Sequence, residues 1–158
     1  MRGVISGGSI QSVEAGARAL RAGGNAVDAV VAAAFATPCG EGAISSFAGG
    51  GAMIVRHGQT GQIEIFDFFA SAPGLGGRRC ASSNTDTESL PRLDFDVIDV
   101  DFGATRQRFH IGRGAAAVPG AIPGLVAAWK RWGTLPLNTL VDSTIRNLRE
   151  GVPMRAFP

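Results

Sequence analysis

Apolar positions change their spacing several times along the chain. From Ser12, the residues Val13, Ala17 and Leu20 recur at helical period, with Glu14, Arg18 and Arg21 on or near the other face. Ser12 is placed to cap that helix, Glu14 falls in its first turn, and Gly23-Gly24 stops it. Asn25 opens a second helix, with Asp28 three residues on in a capping-box arrangement that uses Asp for the usual Glu. Its body, AVDAVVAAAFA, is small and apolar all round, which predicts a central buried helix that Pro38 ends. Ahead of both, Val4 and Ile5 predict a short strand followed by a turn at Gly7 and Gly8.

After three glycines at 49–51 the period shortens. AMIVR and IEIFDF, separated by HGQTGQ, predict a hairpin, with Ile54, Ile63 and Ile65 on sheet faces and Phe66, Phe68 and Phe69 making the second run aromatic on both sides. A sheet covered on both faces is the expectation. From Ala70 to about Leu93 the text is mostly Gly, Ser, Thr, Arg and Asp and predicts a long loop, either functional or mobile. DFDVIDVDF at 94–102 alternates well enough for an edge strand with acidic exposure, and shorter β-like pieces follow at Arg108–Ile111 and Ala115–Val118. Ile122–Trp132 reads as a helix with Pro123 in its first turn, Lys130 and Arg131 at its end and Gly133 as its stop. A last helix from about Pro136 to Glu150 carries the stripe Leu137, Leu140, Val141, Ile145 and Leu148, closed by Gly151 and Pro153.

Strands mixed with helices in 158 residues give an α/β (α+β) fold with one core, a whole domain or part of one. The 23 glycines gather at element ends without a G-X-Y period, so collagen is excluded. A formal charge of +2 with scattered basic residues argues against a nucleic-acid partner. Asp28, Pro38 and Glu41 interrupt the longest apolar stretch, so no membrane span is expected. The opening residues lack the apolar run of a secretory signal, and Cys39 and Cys80 form no C-x-x-C pair; a reducing, cytoplasmic setting is the expectation. The ending GVPMRAFP supplies no element that would seal a fold, which suggests truncation.

Candidate chemistry is sparse. Gly49–Gly51 either line an active-site wall or permit a turn into a packed strand; they are not a phosphate loop, since no G-K-[ST] follows and a strand comes next. His57 and His110 have no metal-ligand spacing, and Asp94, Asp96, Asp99 and Asp101 lack the glycine and terminal Glu of a calcium loop, so no metal or other cofactor is expected. Cys39 has no adjacent base and reads as a small buried hydrophobe. Ser45 and Ser46 lie outside any G-x-S-x-G and read as capping hydroxyls, and Trp129 and Trp132 share a helix face as packing residues.

Three blocks taken together resemble a known family. The segment EAGARALRAGGNAVDAVVAAAFA is similar to the start of the large subunit of γ-glutamyltranspeptidases, and Gly23–Ala29 reproduce the family's turn between two helices letter for letter. SSFAGGGAMIV matches the family's glycine-rich entry to a strand. VPGAIPGLVAAWKRWGTLPLNTLVDSTIRNLREG is like its proline-glycine turn, helix, aromatic-Gly-Thr-Leu-Pro link and next helix. The blocks keep the family's order and cover roughly residues 3–73 and 115–155.

The resemblance implies a partial N-terminal-nucleophile hydrolase αββα sandwich, with residues 1–158 an incomplete N-terminal portion of the large subunit. It further implies a precursor that cuts itself, freeing a downstream threonine which attacks a γ-glutamyl or related amide and passes the acyl group to water or an amine. The implied partners are the downstream portion, with the small subunit that carries this threonine, and a small amide or peptide substrate. No catalytic residue is expected within residues 1–158. One departure bears on substrate. Where glutamyl-specific relatives read approximately Asp-Phe-Arg-Glu-x-Ala-Pro, this chain reads Asp67-Phe68-Phe69-Ala70-Ser71-Ala72-Pro73, so Phe69 stands where an arginine grips the substrate's α-carboxylate. A phenyl ring makes no bidentate contact with a carboxylate. Phe69 is therefore the one substrate-binding candidate, as an acyl-pocket wall or as core packing, and Asp67 either orients neighbours at the pocket edge or caps a turn. The alternatives to an enzyme portion are a catalytically inert remnant or non-enzymatic partner subunit, and a small-ligand binding module. With sheet faces left uncovered, the isolated chain is expected to be poorly soluble or molten.

Overall fold

A computed structural model describes residues 3–72, 96–112 and 115–153. Where the sequence suggests one core, these residues divide into two compact units, one of residues 1–70 with 119–158 and one of residues 71–118.

The larger unit is organised around two helices, α1 (Ile10–Arg21) and α2 (Ala26–Gly40), that pack along each other. Helix α1 begins three residues earlier than the apolar pattern suggests. Ser9, not Ser12, is its cap and accepts the Ser12 N–H at 3.3 Å, while Ser12 is buried with its hydroxyl donating to the Ser9 carbonyl at 2.8 Å. Ile10, three residues before Val13, belongs to the helix although it is exposed, and Glu14 falls outside the first turn. Val4 and Ile5 form no strand; Ile5 instead packs against the core beside Gly16.

Asn25 and Asp28 close a reciprocal capping box at the start of α2. Val27, Ala29, Val31, Ala32, Phe35 and Ala36 then bury this helix against α1, α3 (Ala121–Trp132) and α4 (Leu137–Glu150), so it is central as expected. Pro38 does not end it. The helix runs to Gly40, because a proline near the last turn forfeits a single N–H while Glu41 still bonds back to the Thr37 carbonyl at 2.9 Å.

Strands β1 (Gly51–Arg56) and β2 (Ile63–Phe68) form the antiparallel hairpin, with Ile54 opposite Ile65. Met53, Val55, Phe66 and Phe68 turn toward the helices, whereas Ile54, Ile63 and Ile65 turn outward, Ile54 at 70% and Ile65 at 74% exposure. Among the described residues the sheet is therefore covered on one face, not on both. In the same way, α4 buries Leu140 but leaves Ile145 and Leu148 of its stripe exposed.

In the smaller unit, β3 (Asp96–Asp101) pairs antiparallel with β4 (Arg106–Ile111), which starts two residues before the expected piece. Asp99 and Arg108 are joined at 3.0 Å and Asp101 and Arg106 at 3.2 Å, so two of the acidic residues are used in cross-strand ion pairs. Ala115–Val118 forms no strand beyond a single bridge of Val118 to Ser71. The expected loop after Ala72, with Cys80 and Asp94, lies outside the described residues.

Candidate functional site

The motifs singled out in the sequence converge at the end of β2. Gly50 faces the main chain of Phe69 and Ala70 so closely that a Cβ there would lie 2.7 Å from the Phe69 carbonyl carbon. Gly120, at the start of α3, approaches the same segment from another side, where a Cβ would strike the Phe68 carbonyl and come within 2.9 Å of the Phe69 oxygen. Gly124, one turn on, lies under the Phe68 ring. Only glycine permits such approaches of main chain to main chain and ring.

The two glycine motifs are also bonded to each other. Gly120 is the N-cap of α3 and has no side chain to offer; instead the Gly49 carbonyl accepts the N–H of Gly120 at 3.0 Å and of Ala121 at 2.9 Å. A carbonyl from the glycine loop thus satisfies donors that begin the helix. That loop is fixed at its other end by Glu41, whose carbonyl accepts the N–H of Ile44 and of Ser45 and the Ser45 hydroxyl. Between these ends lies an open depression of about 470 Å³ lined by Gly42, Ala43, Ile44, Ser45, Ser46, Gly49 and Gly50. The glycines admit the turn into β1, and Gly49 and Gly50 also line this depression.

Phe69 follows β2 and is 70% exposed, outside the core formed by the described residues. Its ring does not line the depression, but its main chain backs onto Gly50, which does. Asp67 accepts the Phe69 N–H on Oδ1 at 2.9 Å, a turn-capping contact whose recipient is the candidate residue itself.

The sequence reading missed what Asp28 does beyond capping. It is fully buried, and besides the Asn25 N–H at 2.9 Å it accepts the Thr134 N–H at 3.0 and 3.1 Å, the Thr134 hydroxyl at 2.6 Å and the Leu135 N–H at 3.3 Å. Asn25 adds a bond from Nδ2 to the Trp132 carbonyl at 2.6 Å. Burial pushes the Asp28 carboxyl up, but the bonds from the Thr134 hydroxyl and from the N–H groups of Asn25, Thr134 and Leu135 outweigh it and hold the carboxyl below its ordinary value. The capping box and the Trp-Gly-Thr-Leu-Pro link are thus two halves of one clamp. The signal was present as two separate motifs, with nothing in spacing to join them.

Other candidates have structural partners. His57 Nε2 meets Glu64 Oε1 at 2.7 Å, Glu64 also pairs with Arg131, and Arg131 lies 4.7 Å over the Trp132 ring. Trp132 packs edge-on to Phe66, and Trp129 donates to the Leu135 carbonyl at 2.7 Å. Burial pushes the Cys39 thiol up, opposite to the shift an activated nucleophile needs. Among the described residues, no three His, Cys, Asp or Glu side chains gather as a metal site requires, and no helix is long and apolar enough to cross a membrane.

Residues 12–156 match the family described as gamma-glutamyltranspeptidase. Glutathione hydrolase proenzyme 1 of Schizosaccharomyces pombe is 32% identical across 96% of this chain and 21% of its own length. Acylase ACY 1 proenzyme of Pseudomonas sp. strain SE83 is 33% identical across 91% of this chain and 24% of its own. The crystal structure of the Bacillus anthracis transpeptidase CapD aligns with a TM-score of 0.68 at 20% identity, over 99% of this chain and 41% of that one, a likeness of fold alone. The chain spans about a fifth to a quarter of the length of these curated relatives. Its mixed α/β fold is structurally related to the N-terminal-nucleophile hydrolases. With the match running through both glycine motifs, the Asp28 clamp and the segment that carries Phe69, the chain belongs to the γ-glutamyltranspeptidase family.

Proposed function

We propose that this chain is the early large-subunit portion of an enzyme that hydrolyses or transfers the acyl group of a γ-glutamyl or related amide. A downstream threonine, freed by self-cleavage, is the nucleophile, and Phe69 lines the acyl pocket. The observation that carries this reading is the family match over residues 12–156 together with the convergence of Gly50, Gly120 and Asp67 on the main chain at Phe69. An exposed ring on so confined a segment suits a binding wall. A phenyl ring favours acyl groups that lack a carboxylate at this point. The outward face of Ile54, Ile63 and Ile65 supports the complete four-layer αββα sandwich, with a second sheet from the rest of the protein lying on it.

Intact mass and N-terminal sequencing of every polypeptide made from the native locus test the proposal. A second chain that begins with Thr is the expected result. A lone product of about this length overturns it and leaves the inert reading. For the acyl group, Phe69→Arg in the processed enzyme is expected to raise kcat/KM for γ-glutamyl-p-nitroanilide about tenfold or more relative to acetyl-p-nitroanilide, as a gained charge-assisted contact requires. An unchanged ratio removes Phe69 from the pocket.

A further inference from the structure

Main-chain and side-chain contacts both hold residues 68–70. The close approaches of Gly50 and Gly120 involve main chain alone. The Phe69 N–H is held by a side chain, that of Asp67, whose Oδ1 accepts it at 2.9 Å while the residue itself lies exposed on the outward side of β2. A short acid bonded to the N–H two residues on sets the backbone direction of the turn between them. That direction in turn limits the rotamers open to the Phe69 ring. Since burial stabilises in proportion to the area removed from water, a 70% exposed ring contributes little to the fold from being so confined. A fixed root does, however, lower the ordering cost when a ligand packs on the ring.

We infer that Asp67 is a positioning residue: through the Phe69 N–H it fixes the direction in which the Phe69 ring meets the acyl group, and so sets acyl selectivity, an assignment that rests on Phe69 lining the acyl pocket as proposed above. Asp67 itself need touch neither substrate nor nucleophile. Its acceptor oxygen is what matters, so Asn at this position keeps the bond, while Ala removes it and Gln displaces the oxygen by one methylene.

The test uses the processed enzyme with both subunits and four p-nitroanilides, γ-glutamyl, glutaryl, acetyl and phenylacetyl. With the best of the four, Asp67→Ala and Asp67→Gln are expected to raise KM about fivefold to tenfold with kcat changed less than about twofold, the loss expected of one hydrogen bond that orders a binding group. Asp67→Asn restores most of that loss. Amide exchange at Phe69 accelerates in the Ala and Gln variants, while exchange at Thr134, inside the Asp28 clamp, stays as it was and reports an intact fold. The outcomes separate the two levels. No turnover of any anilide by the unaltered enzyme removes the acyl-transfer reading and this assignment with it. Turnover with an acyl ranking that Phe69→Ala leaves unchanged removes Phe69 from the pocket, and Asp67 with it. A ranking altered by Phe69→Ala but not by Asp67→Ala, or equal losses in the Ala and Asn variants, overturns the positioning role alone.

Discussion

Asp28 is a fully buried carboxylate whose described partners are all N–H and O–H groups. Replacing it with Asn turns two of its acceptor positions into donors aimed at donors, and the N–H groups of Thr134 and Leu135 lose bonds to a charged oxygen. We expect Asp28→Asn to destabilise the protein by about 3 kcal/mol, read as a lower urea midpoint. The pH dependence has a definite sign. Because the folded chain holds this carboxyl below its ordinary value, the unfolded chain takes up a proton first as the pH falls. The contribution of Asp28 is therefore fully present above its unfolded value, near pH 4, and fades as the pH drops toward the folded one. Urea midpoints measured from pH 6 down to pH 2.5 are expected to fall less steeply for Asp28→Asn than for the unaltered chain. Equal slopes would assign the acid sensitivity elsewhere.

At the scale of elements, helix α3 is placed by its glycines. Gly120 brings the helix start against the carbonyls of Phe68 and Phe69, and Gly124 brings its first turn under the Phe68 ring. Gly124→Ala would put its Cβ 2.6 Å from Phe68 Cδ2, an overpacking expected to cost about 1–3 kcal/mol despite the better helix propensity of alanine, with thermal unfolding as the check. A neutral or stabilising Gly124→Ala would mean that the ring yields and that glycine is not required there. The sequence foretold the interiors of these elements better than their junctions. Apolar patterning located α2, which is apolar all round and central, and α3, α4 and the β1–β2 hairpin, each of which buries part of one apolar face. It misplaced the start of α1, where two serines three apart, Ser9 and Ser12, both read as caps, and the end of α2, where Pro38 is accommodated in the last turn. For the candidate site, Phe69 and the glycine runs were readable as residues, but their meeting was not. That meeting depends on Gly49, Phe69 and Gly120, which are remote in sequence and join through main-chain atoms common to every residue type.

At the scale of the molecule, the sheet and α4 share one property: each leaves apolar side chains uncovered, the sheet on its outward face and α4 toward the end of its stripe. Ile54, Ile63 and Ile65 form one such surface, and Ile145 with Leu148, the latter 60% exposed, form another. Contiguous apolar surfaces of this kind drive association when nothing covers them. The 158-residue chain made alone is expected to self-associate, and Ile54→Thr with Ile65→Thr to raise its soluble yield severalfold, as sedimentation of the lysate would show. In the processed enzyme the same pair should reduce stability by about 2 kcal/mol or more if a second sheet packs on that face, and by close to nothing if the face meets water.

The Asp28 clamp also has a consequence in time. Its two halves lie 106 residues apart, so at ordinary elongation rates Thr134 leaves the ribosome roughly 5–20 s after Asp28. Throughout that interval α1 and α2 are available to pair, yet the Asp28 carboxylate has met only the Asn25 N–H of its own capping box. Until residues 71–118 have been made, the Thr134 and Leu135 donors that complete this carboxylate's bonds are absent. The clamp, and with it this corner of the larger unit, is completed only once the second segment has been made.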